Sequence, residues 1–161
     1  MRRALTASIL LLAFAVGTSA HAQAPAKQRA AQAAVPAEVL IVLATNAGGV
    51  IDPRLADVPA LRRPPFDSFR SMALLSSPHV QLRVGQAHEV PLPNGRHMRI
   101  VLREVTREGR FRLSVSINRP GEQDYLPEVS ILASPGDPFF IAGQSYQAGT
   151  LVIGFRLGHR T

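Results

Sequence analysis

Residues 80–117 read VQLRVGQAHEVPLPNGRHMRIVLREVTREGRFRLSVSI, and this stretch decides the fold because apolar and polar residues alternate through four consecutive segments. The most regular segment is 111–117, where Phe, Leu, Val and Ile occupy the odd-numbered positions and Arg, Ser and Ser the even ones. Alternation with period two is typical of β-strands that bury one face. The stretch therefore predicts a run of antiparallel strands.

The turn at residues 93–95 (PNG) predicts how two of these strands pair. A two-residue Asn-Gly loop would turn charged side chains into the buried face. A three-residue loop, with glycine at the position of positive φ, instead places Val90 opposite Met98 and His88 opposite Ile100. All the apolar residues of the pair then share one face.

The next turn, at residues 108–109, allows the same argument about parity. It predicts Leu102 opposite Val115 and Ile100 opposite Ile117, which extends the apolar face across a further strand.

The opposite face of these strands is mostly polar, with Val101 and Val105 as exceptions, and carries Glu89, Arg99, Arg103, Arg112, Ser114 and Ser116. Guanidinium groups bind carboxylates and phosphates through paired hydrogen bonds. Long arginine side chains also simply cover a sheet surface. We take Arg99, Arg103 and Arg112, with Glu89, as the candidate binding face.

The N-terminus has the three parts of a secretory signal peptide: MRR at 1–3, an apolar run at 4–16, and AHA at 20–22. We predict a Sec-type signal of a Gram-negative-type bacterium, cleaved after Ala22, and therefore a periplasmic or secreted protein. The alternative is an uncleaved anchor, although the apolar run is shorter than the roughly 20 residues that cross a bilayer. The chain contains no cysteine, which excludes a lipoprotein, disulfides and thiolate chemistry.

Removal of 22 residues from 161 leaves 139, enough for one domain with a hydrophobic core. The formal charge falls from +7 to +5 because Arg2 and Arg3 leave with the signal. Export makes nucleic acid an unexpected partner, and no membrane span is expected after cleavage. Anionic glycans or lipids of the envelope are the acidic ligands to consider.

The composition divides the mature chain into a tether at 23–36, a β-domain at 37–158 and a short tail at 159–161. The tether is rich in Ala and Gln and has no large apolar residue, so it has little to bury. The run Val39–Leu43 is apolar throughout, which predicts a strand that is buried on both faces or has a central position in its sheet.

The rest of the domain alternates short strands with Gly- and Pro-rich turns. One helical turn is predicted after Asp52-Pro53 and a second at 66–70. Further strands are predicted at 72–75, 126–133, 139–142 and 151–157, with a loop at 143–149. The pattern predicts an all-β domain: one small antiparallel β-sandwich or partly open barrel of about eight short strands, with one or two short helical turns.

Three groups of residues are candidate chemical sites. Ser145, in GQSYQ at 143–147, resembles a nucleophile elbow, but a strand pattern follows it where the elbow needs a helix, and only His159 follows as a base.

His79, His88 and His97 recur at a spacing of nine, but the predicted register puts His88 and His97 on opposite faces. The acidic residues Glu122, Asp124 and Glu128 fit no calcium-loop spacing. We predict no catalytic residue, cofactor or metal.

The segments FDSFR at 66–70, LPNG at 92–95, FIAGQ at 140–144 and GTLVI at 149–153 resemble a pattern in exported bacterial β-domain proteins of no assigned activity. The resemblance covers most of the domain and implies no catalytic residues. The sequence thus predicts a non-catalytic exported domain that acts through protein contacts in a cell-envelope assembly. The alternative is a binding module for anionic glycan or lipid headgroups; a small hydrolase is a third and weaker hypothesis.

Overall fold

The structure, a computed structural model, describes residues 34–122 and 124–158 of the chain. The described part contains nine strands: β1 (Val35–Thr45), β2 (Ser71–Ser76), β3 (His79–Leu82), β4 (Ala87–Pro91), β5 (His97–Val105), β6 (Phe111–Ile117), β7 (Val129–Ala133), β8 (Phe139–Tyr146) and β9 (Gly149–Leu157). Its helical segments are single short turns, and none is long and apolar enough to cross a membrane. The predicted signal peptide, most of the predicted tether and the predicted tail lie outside the described residues.

The strands form two antiparallel sheets that pack face to face. Sheet A has the order β2-β1-β9-β8, with β3 beside the first half of β1, and sheet B has the order β4-β5-β6-β7. Apolar side chains from the facing sides of both sheets make the main core, which includes Ile41, Ile100, Leu113 and Phe155. The predicted all-β fold is confirmed, and of the two architectures left open, the chain adopts the sandwich and not the partly open barrel.

Strand β1 is the centre of sheet A and is buried on both faces, as its apolar run predicts. Val39 and Ile41 point into the main core, while Leu40 and Val42 belong to a second apolar cluster on the other side of the sheet. β1 begins at Val35, so the last two residues assigned to the tether, Val35 and Pro36, are part of the folded domain. The composition placed these residues in the tether because 23–36 contains two prolines and little to bury, but Pro36 lies near the start of β1, where proline is tolerated.

The second cluster is covered by a segment that we call the strap, residues 52–70. It contains three short 3₁₀ turns, at Pro53–Leu55, Pro59–Arg62 and Phe66–Ser68, whereas the sequence predicted one or two. Leu55, Val58 and Leu61 project from it and are almost fully buried against sheet A. The strap gives one side of the sandwich a second, smaller core.

Glycine in β9 allows an aromatic side chain to complete this cluster. Phe140 lies over Gly154, where an added Cβ would collide with its ring. Phe140 also meets Phe66 of the strap edge-on, with ring centroids 5.6 Å apart. Gly154 is therefore needed for the close approach of Phe140 to the sheet.

The strap begins at Asp52, which caps its first turn as predicted. Asp52 Oδ1 accepts a hydrogen bond from the backbone N–H of Arg54 at 2.9 Å, and Oδ2 pairs with the Arg54 guanidinium at 2.6 Å. Leu74 N of β2 also donates to Oδ2, at 3.3 Å. One carboxylate thus joins the strap to the edge of sheet A, and these hydrogen bonds, led by that from the Arg54 side chain, lower the pKa of Asp52 from 3.8 to about 2.

Replacing Asp52 with asparagine should flatten the acid limb of the stability curve. A carboxyl whose pKa is lower in the folded state stabilises the fold above pH 3.8, and this contribution disappears as the pH falls through about 2. We expect Asp52→Asn to be less stable than the wild type at pH 5, with a difference that shrinks toward pH 2. Urea unfolding across this range measures it, with Asp57→Asn, an exposed carboxylate outside the cap, as the control. A difference that stays constant with pH would contradict the assignment.

The turn between β4 and β5 has the predicted three-residue form. Leu92 N donates to Arg96 O at 2.8 Å, and Gly95 has φ of 78°. Val90 therefore lies opposite Met98, with His88 opposite Ile100, and this part of the predicted register is confirmed.

The predicted pairing of β5 with β6 is wrong by two residues. Leu102 lies opposite Leu113, and Ile100 opposite Val115. One residue of the difference comes from the turn, where Thr106 N bonds Arg110 O and again three residues form the loop. The other comes from an irregularity between Leu102 and Glu104, where β5 contains one extra residue. A shift of two residues preserves the side-chain parity, so the apolar face is still continuous.

The segment 143–149, predicted to be a loop, is mostly strand. β8 continues through Gly143, whose φ of 123° accompanies a break in register, and ends at Tyr146. The chain turns tightly at Gln147 and Ala148 before β9 begins. Gly143 therefore lies in a β-bulge and does not end the strand.

Candidate functional site

The four residues predicted as a binding face lie together on the outer side of sheet B. Glu89 and Arg99 are paired across β4 and β5, and Arg112 follows on β6. Consecutive residues of a strand normally point to opposite sides of the sheet. Because β5 contains an extra residue here, Arg103 and Glu104 both make contacts on the outer side of sheet B. We call this surface, defined by Glu89, Arg99, Arg103 and Arg112, the arginine face.

Each arginine of the arginine face is paired with a carboxylate of the same chain. Arg99 contacts Glu89 at 3.0 Å, Arg103 contacts Glu128 at 2.6 Å, and Arg112 contacts Glu104 at 2.9 Å. An anionic ligand would have to compete with these carboxylates for the guanidinium hydrogen bonds. The face is therefore a mixed-charge surface, not an uncompensated cationic one.

A polar cavity of about 260 Å³ opens at one end of this face, lined by Glu89, His97, Arg99, Asn118 and Tyr125. The Arg99 guanidinium lies 3.8 Å from the centroid of the Tyr125 ring, within the range of a cation–π contact. The Tyr125 hydroxyl donates to Glu89 Oε1 at 2.9 Å, and Arg99 donates to the same oxygen. Three side chains from β4, β5 and the loop before β7 therefore hold one another in place.

Asn118 fixes the loop that carries Tyr125. Its Oδ1 accepts from His97 N at 2.7 Å, and its Nδ2 donates to Glu122 O at 2.8 Å. The side chain is buried, so these bonds have little competition from water. Asn118 thus links sheet B to the loop through hydrogen bonds. This link explains how Tyr125, which is distant in sequence, reaches the arginine face.

The ionisation of the cavity follows from these contacts. Hydrogen bonds from Arg99 and then Tyr125 lower the pKa of Glu89. Burial raises the pKa of Tyr125, and the bond to Glu89 adds to the effect. Nearby, hydrogen bonds from Arg103 and Ser114 lower the pKa of Glu128. These shifts move each group away from neutral pH, so Glu89 is a fixed negative charge and Tyr125 a neutral hydrogen-bond donor.

The histidines are separated as the predicted register requires. His97 lies in the polar cavity, whereas His88 lines a different cavity of about 460 Å³, between β4 and the β2–β3 corner. His88 is half-buried and His79 exposed. No group of three or more metal-ligating side chains occurs within residues 34–122 and 124–158.

The other candidate residues occupy ordinary positions. Ser145 is exposed on β8, where it pairs with Thr150, and is not in a turn between a strand and a helix. The base considered for it, His159, lies outside the described residues. Glu122 and Asp124 use their backbone carbonyls to accept hydrogen bonds within the loop, while Glu128 pairs with Arg103.

Comparison of the chain with protein-family models, with curated proteins and with solved structures found no match.

The two edges of sheet B differ in how they are protected. At one edge, the hydrogen bond from Leu92 N to Arg96 O shows that the even-numbered residues of β4 direct their backbone groups toward β5. Because the direction alternates along a strand, Ala87, Glu89 and Pro91 direct their backbone groups outward. Pro91 has no N–H to offer, and Glu89 places a charge there. Both features discourage the addition of another strand.

Strand β7 forms the opposite edge, and its sequence, VSILA, has neither a charge nor a proline. Val129 is 55% exposed and Leu132 43% exposed. Within the described part of the chain, the only strand that pairs with β7 is β6. This edge therefore lacks the protection that β4 has, a difference that the sequence did not reveal because it depends on which strands lie at the edges.

Proposed function

We propose that this chain is an exported, non-catalytic β-domain that acts through protein contacts in the cell envelope, and that it binds its partner by strand addition at β7. The observation that carries the proposal is the open, uncharged edge of β7 with its exposed apolar side chains. Export is supported by the charged, apolar and small-residue order of the first 22 residues.

Strand addition explains the contrast between the two edges of sheet B. An added strand makes main-chain hydrogen bonds with an exposed edge, while the side chains on alternate positions supply specificity. β7 has both requirements: outward backbone groups and apolar side chains partly open to solvent. β4 also has outward backbone groups, but one of its outward residues, Pro91, lacks an N–H and another, Glu89, carries a charge.

The internal pairing of the arginines also favours a protein partner. A polyanion such as lipopolysaccharide binds best to uncompensated cations, whereas here Glu89, Glu104 and Glu128 each occupy a guanidinium. A surface of alternating charges matches another protein surface through complementary pairs.

A second function, recognition of an envelope glycan, is favoured by one observation. Saccharide sites combine an aromatic ring with convergent polar groups, and Tyr125 lies in the polar cavity with Glu89, Arg99 and His97. In this case the partner would be a sugar unit held at the arginine face, and β7 would have no part in binding.

One experiment separates these functions. A photo-crosslinking residue at position 132 should capture a protein in the native envelope, and Ser130→Pro should abolish the capture by removing an N–H from the open edge. Ala87→Pro makes the same change at the protected edge and should leave capture intact. Binding of envelope polysaccharide that survives Ser130→Pro but is lost in Tyr125→Ala would overturn the first function in favour of the second.

A further inference from the structure

The backbone groups that β7 offers can be identified from the ladder. Asn118 N donates to His97 O at 3.1 Å, so the even-numbered residues of β6 direct their backbone groups toward β5. The odd-numbered residues, among them Leu113 and Val115, therefore point toward β7. The hydrogen bond from Leu126 N to Ile117 O is consistent with this assignment, since it leaves β6 on that side.

Alternation then assigns the outward groups of β7. Ile131 lies opposite Leu113, and Val129 opposite Val115, so both point back toward β6. Ser130 and Leu132 consequently direct an N–H and a C=O each to the open edge. These groups are spaced by two residues, which is the spacing of a further antiparallel ladder.

This arrangement is complementary to itself. If a second β7 lies antiparallel with Ile131 opposite Ile131, then Ser130 of one copy faces Leu132 of the other on both sides of a two-fold axis. Every outward N–H and C=O of both strands then finds a partner. A two-fold contact of this kind uses the same patch on both subunits and closes without forming a filament.

The side chains are compatible with the same register. Toward the core, Ile131 meets its own copy and Val129 meets Ala133, so exposed apolar surface is covered. Phe139 and Ile141 of β8 are half-buried and also pack against the main core. β7 has no ionisable side chain, and Glu128 beside it already pairs with Arg103, so no like charges face each other across the axis.

We propose, on the basis of the protein-contact function above, that the partner at β7 is a second copy of this chain. The two β7 strands pair antiparallel about Ile131 and join the two B sheets into one sheet of eight strands.

Cysteine crosslinking tests the register, because the chain has no cysteine of its own. In the proposed pair Ile131 occupies a non-hydrogen-bonded position, where the two Cα atoms are about 4.5 Å apart. A disulfide needs about 4.4 to 6.8 Å. Full-length Ile131→Cys should form a covalent dimer under mild oxidation, whereas Ala87→Cys, at the other edge of sheet B, should not. Adding Ser130→Pro to Ile131→Cys should abolish the crosslink.

Analytical ultracentrifugation of the wild-type chain, which has no cysteine, measures the mass of the dimer independently of crosslinking. We expect twice the monomer mass, and the monomer mass for Ser130→Pro. A wild-type chain that remains monomeric at all concentrations, or equal crosslinking of Ile131→Cys and Ala87→Cys, would overturn the dimer. If position 132 then captures a different protein, the protein-contact function stands without the dimer; if it captures none, both proposals fail.

Discussion

Replacing Phe155 with alanine should reduce the free energy of unfolding by about 3 to 5 kcal/mol, the largest loss we expect from one side chain. Phe155 lies on β9 in the middle of sheet A and is 1% exposed. Its ring stacks on that of Phe139, with centroids 4.8 Å apart and planes at 13°. Truncation removes this contact and leaves a cavity between the sheets.

Such a loss is large compared with the total stability of a domain of this size, about 5 to 15 kcal/mol. Urea unfolding followed by far-ultraviolet circular dichroism is the appropriate measurement, because the chain has no tryptophan. Leu75→Ala, at a residue that is 40% exposed on β2, is the control and should cost well under half as much. A loss of less than about 1 kcal/mol for Phe155→Ala would mean that the facing sheets do not pack as described.

The sequence predicted an all-β domain, a sandwich or partly open barrel, because the information that specifies strands and their faces is local. Alternating residues assign a face to each strand, and a turn such as PNG at 93–95 specifies the pairing across it. The same reasoning failed between β5 and β6 for two reasons: the turn has three residues where two were predicted, and the extra residue at Arg103 leaves no mark in the alternation that precedes it. The core side chains of both strands still lie on the predicted face of the sheet, but their partners on the neighbouring strand differ from the prediction.

The arginine face was predicted as a surface, but its chemistry was not. Arg103 pairs with Glu128, which is 25 positions later in the chain, and Arg99 contacts Tyr125 from the same loop. Such partners depend on how the loop after β6 folds back, which Asn118 decides through two hydrogen bonds. A lone tyrosine in an acidic loop was the only available signal.

The strap could be located from its prolines, but its role could not be derived. Val39–Leu43 predicted apolar residues on both faces of β1, so something had to cover the second face. Proline-rich segments have no periodicity that identifies their buried residues. Only the structure shows that Leu55, Val58 and Leu61 provide this cover.

Replacing Leu61 with alanine should therefore destabilise the whole domain, by about 2 to 4 kcal/mol. Leu61 is 2% exposed and packs in the second cluster with Met72 and Val152. The strap is also tied to the sheet through its backbone, since Asp52 N donates to Met72 O at 2.8 Å and Arg70 N to Thr45 O at 3.0 Å. A weakened strap would expose the outer face of β1, the central strand.

The alternative is that the strap detaches without unfolding the sandwich. Hydrogen exchange distinguishes the two results. If the strap unfolds together with the sandwich, Leu61→Ala should lower the protection of amides in β1 and β9 by the same factor as in the strap. A loss of protection confined to residues 52–70, with the urea midpoint unchanged, would contradict this prediction. We expect the cooperative result, because Leu40 and Val42 leave β1 with an apolar outer face, and the strap supplies most of the buried side chains that cover it.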